Sequence, residues 1–174
     1  LIELAGITDI DPLRMEWAVS QGISVYSSYE EMLADKSVDA ILIATPNHLH
    51  KSMAIAALQA GKHVLCEKPM APSLEECDKM IAASRKTGAL LSIVAQNRFK
   101  PDIMRTRKLL ESGALGKLYF AQANSFWWRG DNYYDLWWRG TWAKEGGGCT
   151  FIHAVHHIDL FLWLMGDVDE VSSM

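Results

Sequence analysis

The chain of 174 residues predicts an α/β fold built on a Rossmann-like parallel sheet. Strand-like apolar runs alternate with helix-period segments through short connections, as in repeated βα units. The runs over residues 38–45 and 63–66 are continuously apolar, the pattern of strands buried on both faces. Glycine or proline marks most of the segment ends.

Residues 4–10 read as a strand that ends in acids. A helix follows over 12–21, with Asp11 as its cap and Pro12 at its first turn, and then a short strand over 23–26. Ser28 and Glu31 have capping-box spacing at the head of a helix over 28–34. After the 38–45 strand, Asn47 caps a helix over 49–60 that Gly61 closes. The strand 63–66, a helix 73–87 ended by Gly88, and a strand 90–96 complete the alternation. Past Gln96 the character changes to an amphipathic helix over 101–112, an alternating, antiparallel-type strand over 118–126, an aromatic loop, three glycines and a last helix. The expected boundary therefore separates residues 1–97 from residues 98–174.

Apolar residues make up 49% and charged residues 22%, and no apolar run approaches a membrane span, so disorder and membrane insertion are both disfavoured. A formal charge of −4 argues against nucleic acid and leaves a small molecule as the expected partner. Cys66, Cys77 and Cys149 form neither a disulfide framework nor a zinc motif, which makes a reducing cytoplasm the expected compartment. The first residue is Leu1, so the expectation is a piece of a longer protein whose targeting segment, if any, lies outside this sequence.

Glu67, Lys68 and Pro69 follow directly on the 63–66 strand, at the carboxyl edge of the sheet, where ligands of open α/β folds bind. An ammonium beside an apolar strand end can transfer a proton or polarise a hydroxyl oxygen; the bland reading is a solvated turn. Asp9 ends the first strand, where an acid holds the ribose hydroxyls of a dinucleotide, or else it serves as a helix cap. Thr45, Pro46 and Asn47 open a helix at the same edge, where backbone N–H groups face a ligand. On a helix through residues 151–165, His156 and Asp159 project together, either as an acid–base unit or as a surface ion pair, while His153 and His157 lie further round. The spacing of His153 and His157 also admits a metal, but no zinc signature accompanies it. Trp127, Trp128, Trp137, Trp138 and Trp142 crowd together with Arg129, Arg139, Tyr133 and Tyr134, which suits either sugar stacking or an interface.

The runs 44–50 (ATPNHLH) and 60–69 (AGKHVLCEKP), then the glycines 146–148 and the run His156-His157-Ile158-Asp159, resemble the Gfo/Idh/MocA oxidoreductases in order and spacing. The resemblance implies a Rossmann domain over 1–97 and a substrate and oligomerisation domain with an antiparallel sheet over 98–174, each partial. It implies hydride transfer between NAD, with NADP as the variant, and a secondary hydroxyl of a sugar, inositol or polyol. Lys68, His156 and Asp159 are then catalytic. Asp9, Thr45, Pro46, Asn47, His50, Glu67, Lys68 and Gln96 are cofactor residues, and Lys68, Arg98, Trp138, Arg139, His156 and Asp159 are substrate residues. No resident metal is implied, a cis Lys68–Pro69 peptide is, and a homo-oligomer forms through the second domain's sheet.

Two departures qualify the likeness. Many members carry an acid four residues before the catalytic histidine, where this chain has Ile152, and that keeps a non-catalytic nucleotide- or sugar-binding protein of the same fold as the alternative. The chain also contains no Gly-x-Gly-x-x-Gly. In strand order 3-2-1-4-5-6 the strand that precedes that loop lies at the sheet's centre, so the edges of the strands ending at Asp9 and Thr45 are expected to be unpaired. Weak NADH binding by the isolated chain is the corresponding expectation.

Overall fold

A computed structural model describes residues 2–173. Among these, helix α1 spans Pro12–Ser20, α2 Tyr29–Ala34 and strand β1 Ala40–Ile43. Then come α3 (Asn47–Gln59), β2 (His63–Cys66), α4 (Leu74–Thr87) and β3 (Leu91–Ile93). A 3-10 turn at Gln96–Phe99 leads into α5 (Pro101–Glu111), followed by the short helices α6 (Asp131–Tyr134), α7 (Trp142–Glu145) and α8 (Cys149–Ile152), and by α9 (Val155–Met165).

The three strands form one parallel sheet in the order β1-β2-β3, with Ala40 beside His63 and Val64 beside Leu91 in register. All three run the same way, so residues 44–46, 67–69 and 94–96 share one edge. Helices α3 and α4 pack on each other and against the strands. Their burial makes the core of Ile41, Ile43, Ala54, Ala57, Leu58, Val64, Cys66 and Met80. Several helix ends follow the local chemistry: the Asp11 carboxylate accepts from the Leu13 N–H, Ser28 and Ser73 cap α2 and α4, and Gly88 takes a positive φ of 75° after α4.

The structure corrects several sequence expectations. β1 and β2 are not buried on both faces: Leu42 and Leu65 are 65% and 42% exposed, because helices cover only the face of Ile41, Ile43, Val64 and Cys66. The 4–10 and 23–26 segments meet only at a parallel bridge between Ile7 and Val25. Among the described residues no ladder joins that pair to β1, as the strand order requires when the central strand is not in the chain. Residues 118–126 are not a strand; with no partner edge for their N–H and C=O groups they stay without regular structure, and Phe120 and Phe126 lie on the surface. Asn47 does not cap its helix: α3 begins at Asn47 itself and its end has no side-chain cap. The expected helix over 151–165 is broken at His153 and Ala154 into α8 and α9. Among the described residues no helix is long and apolar enough to cross a membrane.

Candidate active site

At the end of β2 the Glu67 N–H donates to the Ile43 carbonyl at 2.9 Å, extending the parallel ladder one residue beyond the strand. The Lys68–Pro69 peptide that follows is cis, and Pro69 is buried. His50, fully buried in α3, braces this turn: its Nδ1 faces the Pro69 carbonyl at 2.8 Å and its Nε2 the Thr45 carbonyl at 2.9 Å. A neutral imidazole has one N–H, so it donates to one of these carbonyls at a time. With its ring enclosed, His50 is a clip behind the sheet edge, its two nitrogens turned to the protein's own carbonyls. Asn47 is likewise buried, and its amide donates to the Glu145 carbonyl at 2.9 Å, tying α3 to α7. Both residues sit at the expected edge but spend their polar atoms on the protein.

From that edge the Lys68 side chain reaches across to α8, where its ammonium donates to the Ile152 carbonyl at 3.1 Å. Ile152 is buried and carries no acid, so a main-chain oxygen holds the ammonium. Burial pushes the Lys68 ammonium below its ordinary range; Glu67 opposes that, Arg139 and Arg129 reinforce it, and Glu145 opposes it again.

His156, buried in the first turn of α9, shares this region. Burial is the main cause that lowers its proton affinity, and the neighbouring Lys68 charge is the next, so the ring is neutral near pH 7. Trp127 packs on it with ring centroids 5.8 Å apart, and on His153 and His157 at 5.9 and 5.5 Å. The structure thus brings together Lys68 and His156, which are far apart in sequence.

Asp159 goes elsewhere. Both its oxygens accept from Arg98, with the Arg98 Nε at 3.1 and 2.9 Å and a further bond from Nη2. No hydrogen bond joins Asp159 to His156 among the described residues. A bidentate charge-assisted pair outcompetes a carboxylate–imidazole contact. The bridge fastens the 3-10 turn to α9, and it occupies two residues expected to meet substrate. Arg139 is also engaged: Nη1 lies 3.1 Å from a Glu145 oxygen and also donates to the Tyr133 hydroxyl, while its guanidinium stacks 4.0 Å from the Trp138 ring. The other Glu145 oxygen accepts from the Gly140 N–H at 2.7 Å.

Asp9 accepts from the Asp11 N–H at 2.9 Å and pairs with Arg14 at 3.2 Å, so Arg14 neutralises the expected ribose acid. The Thr45 hydroxyl turns inward to the Met53 sulfur at 3.6 Å. Glu67 lies beside Lys68, accepting its N–H at 3.2 Å, and Gln96 is exposed just past β3. The sequence reading missed Glu145, His153 and Tyr133 as one network, in which the Tyr133 hydroxyl lies 3.1 Å from His153 Nε2. The only local hint was Glu145 standing directly before the three glycines. A cavity of about 420 Å³ opens among Trp127, Arg129, Tyr133, Ile152 and His153.

Residues 1–95 match the profile of the GFO/IDH/MocA oxidoreductase family with its NAD-binding Rossmann fold, and residues 103–174 match the GFO/IDH/MocA C-terminal domain. The chain belongs to the Gfo/Idh/MocA oxidoreductase family. Its structure is similar to that of the family's WlbA dehydrogenase from Bordetella pertussis in complex with NADH and UDP-GlcNAcA, with a TM-score of 0.87 and 39% identity over 94% of this chain and 48% of that one. Levoglucosan dehydrogenase in complex with NADH and levoglucosan gives a TM-score of 0.81 and 32% identity, over 94% of this chain and 45% of that one. A 1-carboxy-3-chloro-3,4-dihydroxycyclohexa-1,5-diene dehydrogenase of Comamonas testosteroni is 34% identical over 99% of this chain and 44% of its own length. The chain spans a little under half the length of these Gfo/Idh/MocA relatives.

Proposed function

We propose that the whole protein is an NAD-dependent dehydrogenase that oxidises a secondary hydroxyl of a sugar, sugar nucleotide or related polyol, reversibly. The observation that carries this is the reach of Lys68 from the sheet edge to the Ile152 carbonyl, four residues before the buried His156, on which the Lys68 charge acts. The family's NAD-binding profile and its NADH-bound relatives support the cofactor.

The residues at the edge suit a dinucleotide. Helix α3 begins without a side-chain cap, and with the Leu49 N–H already on the Pro46 carbonyl, the N–H groups of Asn47 and His48 are available at the edge beside Thr45 and Pro46. In this reading Asp9, Thr45, Pro46, Glu67, Lys68 and Gln96 line the cofactor, and Asn47 and His50 position that lining. When bound, NAD supplies the hydride acceptor at nicotinamide C4. His156, neutral near pH 7, takes the hydroxyl proton as the carbinol is oxidised. The Lys68 ammonium, anchored on Ile152, donates to the same oxygen and stabilises the developing alkoxide. Asp159 acts through Arg98, by fixing α9 and with it His156. The domain boundary between residues 97 and 98, a homo-oligomer and a cytoplasmic location belong to the same reading.

In the whole protein, Lys68→Ala should lower kcat by about 100-fold or more while NADH affinity, which the other lining residues also support, falls by less than about tenfold. Steady-state rates and a fluorescence titration measure the two. An unchanged kcat removes Lys68 from the reaction. Ile152, in place of an acid, favours the second reading, a binding protein without turnover; NADH binding with no turnover of any sugar by the unaltered protein would establish it.

A further inference from the structure

Beyond the catalytic pair, the cavity next to it holds an unmatched charge. The Arg129 Nε is buried with no hydrogen-bond partner, and Nη1 reaches only the Trp128 carbonyl at 3.3 Å. Among the described residues Arg129 makes no ion pair. Its guanidinium lies between two rings, 5.5 Å from the centre of Trp127 and 5.0 Å from that of Tyr133. Ring faces orient a guanidinium but leave its N–H groups without acceptors. Arg139 is close by, with its Nε also buried and unpartnered, although Nη1 is held by Glu145.

Arg129 and Arg139 both act on Lys68 as like charges, opposed by Glu67 and Glu145, and of the two arginines only Arg139 has a carboxylate partner among the described residues. A positive charge without a counterion beside a concave, aromatic-walled space is costly unless a ligand supplies the anion. The cavity, about 420 Å³, is of ligand size. Ile152 forms part of its wall, and the same residue's carbonyl touches the Lys68 ammonium, so a ligand seated there adjoins the reacting groups.

We propose that the substrate carries a carboxylate on its ring, a uronic acid or a comparable cyclic acid, and that Arg129, steadied by Trp127 and Tyr133, is the side chain that binds it. This rests on the dehydrogenase reading for the identity of the pocket, and adds the charge of the molecule that fills it. A planar carboxylate matches the guanidinium fork with two parallel hydrogen bonds. Arg139, already paired, contributes field more than contact.

The test uses the whole protein with NADH bound, and compares UDP-GlcNAcA with UDP-GlcNAc, which differ only in a carboxylate against a hydroxymethyl group. Calorimetric titration should show the acid binding about tenfold or more tighter, and Arg129→Gln should abolish that preference while leaving UDP-GlcNAc binding within about twofold. Arg129→Lys, which keeps the charge but loses the fork, should retain part of it, and serves if the glutamine variant does not fold. Equal binding of both sugars by the unaltered protein, or equal loss of both in Arg129→Gln, overturns the assignment; equal loss would place the diphosphate on this arginine. Because binding is read without turnover, an Arg129-dependent preference with no NADH formed from NAD would sustain the anion site while refuting the dehydrogenase reading.

Discussion

The Lys68 ammonium depresses the readiness of His156 to carry charge, and the effect has a direction that can be measured. The His156 ring takes a proton only below its ordinary value of about 6.5, because it is buried and faces the Lys68 ammonium. Sugar oxidation that uses this ring as base should therefore be flat in kcat/KM above about pH 6.5, as far as His156 is concerned, and fall at lower pH. Lys68→Met removes the opposing charge, so an NMR titration of the His156 ring should show its midpoint moving up; a midpoint that stays or falls would separate the two groups. The sign for stability follows. Above about 6.5 the ring is neutral in folded and unfolded chains and costs nothing, whereas on acidification the unfolded chain binds the proton first and folding is weakened down to the lower native value. At this scale the sequence was legible in part. Lys68 could be read from a strand followed by Glu-Lys-Pro, whereas the cis Lys68–Pro69 peptide followed only from the family resemblance. Arg98–Asp159 and Asn47–Glu145 could not, since each joins segments whose approach no local pattern encodes.

Helices α3 and α4 cover one face of the sheet, and Leu58 of α3 has no exposed surface. Leu58→Ala should cost about 2–5 kcal/mol, since the tightly packed core around it can close the cavity only partly. Chemical denaturation measures this, and a change below about 0.5 kcal/mol, typical of surface positions, would mean that α3 is not seated as described. Most helix and strand positions in residues 28–93 were readable because the Ser28 cap, the glycine stops and the periodicity agree there, although the Asn47 cap did not form. The second part was less so. A continuous apolar stripe through residues 151–165 hides the break at His153 and Ala154, because the stripe reports what is buried and not whether the backbone hydrogen bonds run on. Residues 118–126 alternate as a strand should, but alternation specifies a face and cannot supply the neighbouring strand it must pair with.

Across the whole molecule, two hydrogen bonds stitch the sheet edge to the segment that follows the tryptophan-rich loop: Asn47 to the Glu145 carbonyl and Lys68 to the Ile152 carbonyl. Asn47→Ala would leave the buried Glu145 carbonyl short of its donor, at about 1–3 kcal/mol. Hydrogen exchange should then quicken over residues 142–148 while β1–β3 keep their protection, and unchanged exchange there would show that the stitch bears no strain. Both stitches end on peptide oxygens. Such an acceptor survives any exchange of side chain at residues 145 and 152, and does not titrate in acid. The pocket wall is thereby at liberty to drift in specificity, from neutral to acidic ligands or back, while the lysine stays moored at the same spot.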